Sequence, residues 1–249
     1  EYLGDIIFLY NASDATKIPL RQKPLKVEKE KKPKEKRGRP KKGEIREPIK
    51  PTILAQQKDM QTTQEMLSLI SKECGVGIKQ NSKGNREVWI GGKLHISTVD
   101  GDIPITAIYS SANVHDSSVA LPLIGETSKK VNYLYDLQDA GYDADIIRDF
   151  SKQHGHCPII DINPKNSSVL REKIQLQEDE KKKFEFFGLR ELSDTHHYNQ
   201  RSMVERVNKY LKDDFGCDKI YYQGATKVAS VLAFGILCIC IHQSLKMIT

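Results

Sequence analysis

Between residues 21 and 51 the chain carries almost nothing that can be buried, and this tract constrains the fold more than any other feature. Lysine, glutamate and proline dominate it, without apolar periodicity, so it cannot contribute to a core. It is preceded by the compact β-type run Ile6-Ile7-Phe8-Leu9-Tyr10, which ends on Asn11-Ala12-Ser13-Asp14-Ala15-Thr16. Any fold built here must therefore tolerate a long excursion after its first strand. From Lys26 to Lys42 ten cations face three glutamates, a local charge of +7; with a total of +6, the remainder is −1. The basic character belongs to one segment, which points to a specific polyanion contact rather than a generally adhesive surface.

Order is expected to resume gradually. Ile53 to Ile70 has helix formers enough for a short helix that closes the excursion, so residues 21–87 are expected to form a basic, largely flexible insertion within a single 1–249 domain. Val88-Trp89-Ile90 and Lys93 to Val99 read as extended, with a bend at Gly91-Gly92. Asp100-Gly101 supplies a hairpin turn, and Ile103 to Tyr109 returns. Asp116 suits the N-cap of a helix over Ser117–Ile124. A buried-type strand (Val131–Leu137), a helix (Asp143–His154), a short strand (Pro158–Ile162), a polar stretch (164–195) and a helix (Gln200–Asp214) complete the order. Three antiparallel strands followed by β-α units predict an α/β fold, a ribonuclease H-like mixed five-stranded sheet flanked by helices, with the flexible basic insertion after its first strand.

The ends and the cysteines set the context. The sequence opens without methionine and runs at once into an apolar stretch, which reads as the continuation of a longer protein whose N-terminal part is missing. Five cysteines (74, 157, 217, 238, 240) form no CxxC pair and no zinc-like spacing, which favours a reducing, cytoplasmic setting. Val228 to Ile241 is the one long apolar run. It falls short of the roughly 20 residues of a membrane span and is expected to be a buried core helix, with no membrane partner.

Carboxylates carry the candidate chemistry. Two-metal phosphodiester chemistry needs a few acids, on different elements, converging on one point. Tyr198, Arg201, Glu205 and Lys212 lie in the region of the last predicted helix. Arg201 and Glu205 are four apart and share a face, with Lys212 two turns further on. A carboxylate flanked by two cations suits a metal ion with a phosphate beside it; an ordinary solvated face with an Arg–Glu pair has the same pattern.

The longer string Arg201-Ser-Met-Val-Glu205-Arg-Val-Asn208-Lys-Tyr-Leu-Lys212-Asp-Asp-Phe-Gly216 resembles the glutamate helix of the DDE transposases of bacterial insertion sequences, the insertion-sequence-four group in particular. Asp139-Ala-Gly-Tyr142-Asp143 resembles their second-aspartate block and Asp14-Ala15-Thr16 their first. Lys93-Leu-His95, Pro104 and Asn113-Val-His115-Asp116-Ser resemble the stretch between them. The resemblance spans roughly residues 6–20 and 88–245. It implies a DNA transposase that cleaves transposon ends and transfers strands into target DNA. Asp14, Asp139 and Glu205 would be its catalytic acids and hold two Mg²⁺ (or Mn²⁺) ions, and Tyr198, Arg201 and Lys212 would contact DNA. Double-stranded DNA is the implied partner, with a homodimer on paired ends and a cytoplasmic, nucleoid-associated setting. An inactive DNA-binding derivative and a ribonuclease H-like nuclease are the alternatives.

Other acids compete. Asp100, in its Asp-Gly turn, is the alternative first acid; Asp136 should point to the opposite face from Asp139; Asp143 reads as a helix cap and Asp161 as the end of a strand. His95 and His115 read as structural. Arg37-Gly38-Arg39-Pro40-Lys41 has an AT-hook core: glycine lets the backbone sit deep in a narrow minor groove while the arginines lie along its floor. A solvated polybasic linker is the other reading of the same residues.

Overall fold

The computed structural model describes residues 6–24, 51–80, 84–164, 167–186 and 193–248. Five strands and a shorter sixth form one mixed sheet. β1 (Ile7–Pro19) lies at its centre, antiparallel to β3 (Arg86–Val99) on one side and parallel to β5 (Asn132–Gln138) on the other. β3 also pairs β4 (Ile103–Ser111) through its second half and β2 (Gly75–Gln80) through its first, and β6 (Cys157–Ile160) lies parallel outside β5.

Two helical layers cover this sheet. α3 (Ser117–Ser128) and α4 (Asp145–Gln153) make the crossovers into β5 and β6. With α1 (Ile53–Gln57) and α2 (Thr63–Ser68) they bury Met66, Leu121, Ile124, Tyr142 and Ile147 on one face. On the other face α7 (Ser202–Lys209) and α8 (Ala225–Ile248) bring Met203, Val204, Val207, Val228, Leu232 and Ile239 against Tyr10, Ala12, Leu94 and Ile96. In chain order α5 (Ser168–Phe186) and α6 (Ser193–Asn199) follow β6 and precede α7.

The ribonuclease H-like mixed α/β architecture is as expected, with six strands in place of five. The additional strand is β2. Its Gly77 faces the Trp89 ring so closely that an added Cβ would lie 2.3 Å from it, so the inward position of the alternation is empty in the sequence and filled by a neighbour's indole. β1 does not stop at Tyr10 but continues to Pro19, and β3 passes unbroken through Gly91 and Gly92. The range expected to be a flexible excursion is structured over residues 51–80. A capping box between Thr62 and Glu65 starts α2, Met66 and Ile70 are buried, and β2 joins the sheet. The basic residues 25–50 lie outside the described residues, the Arg37–Lys41 motif with them.

Other helices differ from expectation in informative ways. The predicted Ile53–Ile70 helix is two short ones. The polar stretch after residue 164 contains the 19-residue, mostly exposed α5. The Gln200–Asp214 helix ends at Lys209 and continues as a π turn over Tyr210–Asp214. Asp116 precedes α3, but its side chain makes no cap; it pairs Lys93 at 2.9 Å. Asp143 does not cap α4 either. It accepts from Arg148 and from the Asn163 N–H, both at 2.8 Å, tying the start of α4 to the end of β6.

α8 is neither as short nor as buried as its apolar run suggested. Ala225–Lys246, 22 residues, is long and apolar enough to cross a membrane by length and composition alone. Only one face reaches the core; Phe234, Leu237, Ile241 and Leu245 are exposed on the other.

Candidate active site

The parallel pairing of β1 and β5 brings two aspartates together. Their register ends at Ser13 opposite Gln138, so the next residue of each strand is an acid, Asp14 and Asp139. Asp14 shares the parity of Tyr10 and Ala12 and therefore faces α7. Asp139 leaves the strand with extended backbone, accepts from the Gly141 N–H at 2.9 Å, and so begins a 3₁₀ turn over Ala140–Tyr142, whose tyrosine is buried.

α7 lies across this pair because Met203, Val204 and Val207 are buried against the sheet. That packing aims Asn208 at the site, where its Nδ2 donates to the Asp14 carboxylate at 3.1 Å. The Asn208 Oδ1 is buried and has no hydrogen-bond partner among the described residues. Glu205, one turn earlier, stands at the rim and accepts from Arg201 at 2.6 Å, its side chain 55% exposed.

The electrostatics show that the acids are crowded. Asp14 is pushed up to about 6, first by burial and then by Asp139, with the Ala15 N–H, Arg201 and Lys79 acting against the shift. Asp139 is also raised by burial, with Asp116 adding and the Gly141 N–H, Arg201 and Lys79 opposing. Burial would lower Arg201, yet Tyr198, Glu205, Asp14 and Asp139 together raise it. A cation would relieve the strain between these carboxylates. Asp14 and Asp139 are oxygen donors of the kind a hard divalent ion takes, and the unpartnered Asn208 oxygen is a further one on the adjacent helix. Glu205 is engaged by Arg201, and among the described residues no group of three or more His, Cys, Asp or Glu is placed to hold a metal.

The remaining candidates lie around this centre. Tyr198 donates to Asp161 at 2.6 Å while its ring lies 5.7 Å from the Arg201 guanidinium, so α6 and α7 are tied to the end of β6. His197 supports that position by stacking on Tyr135 and bonding the Tyr10 hydroxyl at 2.6 Å. Lys212 is not carried on a continuous α-helical stripe. The π turn delivers its Nζ to the Thr16 hydroxyl, two residues beyond Asp14, where burial lowers its pKa.

The rival acids are occupied elsewhere. Asp100 accepts from the Leu9 and Tyr10 N–H groups at 2.6 and 3.2 Å, four residues or about 13 Å along β1 from Asp14. Asp136 points to the opposite face, where Asn11, Gln138 and Ser151 donate to it and burial pushes it up to about 6. His95 is fully buried against Ser110 and depressed to about 4 by burial, and His115 bonds the neighbouring Ser117.

Sequence reasoning gave no role to Asn208, although its position three residues after Glu205 puts both on one helix face. Lys79 was also missed, because its strand was not recognised. Compared with known proteins, residues 12–241 match the family model described as transposase DDE domain. No curated protein and no solved structure matches the chain.

Proposed function

Since the chain belongs to the transposase DDE-domain family, whose members act on DNA and are generally divalent-metal dependent, we propose that it cleaves transposon ends and joins them to target DNA. The proposal extends to the insertion-sequence-four group, to a homodimer on paired ends and to a cytoplasmic, nucleoid-associated setting. One observation carries it: Asp14 and Asp139 occupy neighbouring positions on two parallel strands, beneath the helix that bears Glu205.

Asp14, Asp139 and Glu205 would hold two Mg²⁺ or Mn²⁺ ions. Such ions, when bound, activate an attacking oxygen and stabilise a leaving one. Asn208 orients the Asp14 carboxylate through its 3.1 Å hydrogen bond. Arg201, already positively charged and adjacent to both aspartates, neutralises a phosphate laid against them. Tyr198 fixes the position of Arg201, and Lys212 holds a second phosphate near Thr16. Water is the first nucleophile and the freed 3′-hydroxyl the second.

The test is metal-dependent nicking of duplex carrying the element's own ends. Glu205→Gln keeps the shape and removes the charge, so nicking should fall by at least about a hundredfold while duplex binding persists. Parental nicking by this variant would remove Glu205 from the mechanism. The Arg201–Glu205 pair favours a second reading, a DNA-binding derivative without activity; binding without nicking in either Mg²⁺ or Mn²⁺ would select it.

The Arg37–Lys41 motif is proposed to grip A·T-rich minor groove. Deleting Lys26–Lys42 should weaken binding to A·T-rich duplex more than to G·C-rich duplex at fixed salt. Equal losses would reduce the tract to a nonspecific polybasic linker.

A further inference from the structure

Three lysines from three elements gather beside the acids. Lys212 reaches the Thr16 hydroxyl of β1. The next residue of β1, Lys17, bonds Glu87 of β3. Glu87 is paired in antiparallel register with Lys79 of β2. Thr16 and Lys17 alternate in direction, so Lys212 and Lys17 approach this edge of β1 from its two faces, and Glu87 and Lys79 continue from Lys17 along the β2–β3 ladder. The cluster as a whole borders the site: Lys79 acts electrostatically on both Asp14 and Asp139, and Lys212 on Glu87. Glu87 is the carboxylate that bonds directly within the cluster, while Asp218 and Asp14 act on Lys212 at longer range. Lys79 is exposed and has no hydrogen bond or ion pair among the described residues.

We propose that Lys212, Lys17 and Lys79 form a track for the backbone phosphates of the DNA that enters the acid site, with Glu87 occupying the track while DNA is absent. This deepens the transposase reading and rests on it. Cross-strand neighbours lie about 5 Å apart, and lysine presents a flexible point charge rather than a planar fork. Such point charges suit positioning along a backbone, without base readout. Glu87 would be displaced because a phosphate row offers Lys17 the same charge with additional partners.

The measurement is duplex binding by the full chain in metal-free buffer across a salt series, so that cleavage plays no part. All variants retain the Lys26–Lys42 tract, whose contribution cancels in the differences. Lys79→Ala should flatten the slope of log affinity against log salt by about one contact, and Lys79→Arg should restore it. Glu87→Gln should tighten binding, because Lys17 no longer has to exchange one partner for another. If Lys79→Ala keeps the parental slope and Glu87→Gln the parental affinity while Lys212→Ala loses one contact, the track is overturned and the transposase reading stands. If the parental chain binds duplex without salt dependence, both fall.

Discussion

Asp14→Asn is expected to stop metal-dependent nicking, by at least about a hundredfold, while making the folded chain more stable at neutral pH. The two effects share one cause. Burial, reinforced by Asp139, raises the Asp14 carboxyl to about 6. The folded state therefore binds this proton more tightly than the unfolded chain. Stability attributable to the group is greatest below the unfolded value near 4, falls as pH rises through about 6, and is constant above it. Asparagine removes that penalty. Asp14 is only half-buried as a residue, so solvent screening reduces the full effect, leaving about 1–2 kcal/mol, or roughly 3–6 °C in Tm. Melting temperatures of parent and variant in chelator should agree near pH 4, separate as pH rises from about 4 to about 6, and keep a constant gap above it. A variant that melts lower at neutral pH would show that the carboxylate serves as an anchor for Asn208 instead. Added Mg²⁺ should raise the melting temperature of the parent and leave the variant nearly unmoved.

Gly91→Ala is expected to be the most destabilising single methyl in the sheet. Gly91 has φ +148°, and a Cβ there would lie 2.1 Å from the Ile18 carbonyl oxygen and 2.9 Å from the Leu20 nitrogen. Both neighbours are backbone and cannot turn aside. The residue also pairs Pro19 on β1 and Gly75 on β2, so it is the junction at which β3 passes from one partner strand to another. Strain and clash together should cost about 3–4 kcal/mol, lowering Tm by roughly 6–16 °C. Gly155→Ala is the control. Its φ is +84°, but nothing lies within 4 Å of the added carbon, so only the conformational cost of about 1 kcal/mol remains. Equal melting temperatures for the two variants would mean that the Ile18–Leu20 backbone is not packed on Gly91.

Much of this architecture was legible because it is written in local patterns. The Asp-Gly turn, the β4 alternation and the apolar run of β5 each report their own element. The misreadings arise where the partner supplies the signal. β1 looked finished at Tyr10 because Asn11, Ser13 and Asp14 are polar, yet Asn11 and Ser13 are buried and Asn11 satisfies its amide on Ser97 and Asp136 across neighbouring strands. β2 hid because Trp89 fills the space above its glycine. In the site, the kinship of Arg201 and Glu205 follows from helical spacing alone. The meeting of Asp14 with Asp139 does not, since the register of two parallel strands 125 positions apart depends on the crossover between them. Lys212 was assigned to a straight helix, and the π turn carries it to Thr16.

The hydrogen bond between Arg201 and Glu205 gives the proposed site a thermodynamic order of assembly. One guanidinium and any divalent ion compete for the same carboxylate, so the DNA-free protein should hold metal less tightly than the DNA-bound one. A phosphate drawn to Arg201 loosens its hold on Glu205, and a metal drawn to Glu205 frees Arg201. By linkage, each ligand must then raise the affinity for the other by the same factor. A chain wired in this way is quiet in the presence of magnesium alone and becomes competent only when nucleic acid arrives, which restricts hydrolysis to the moment of engagement.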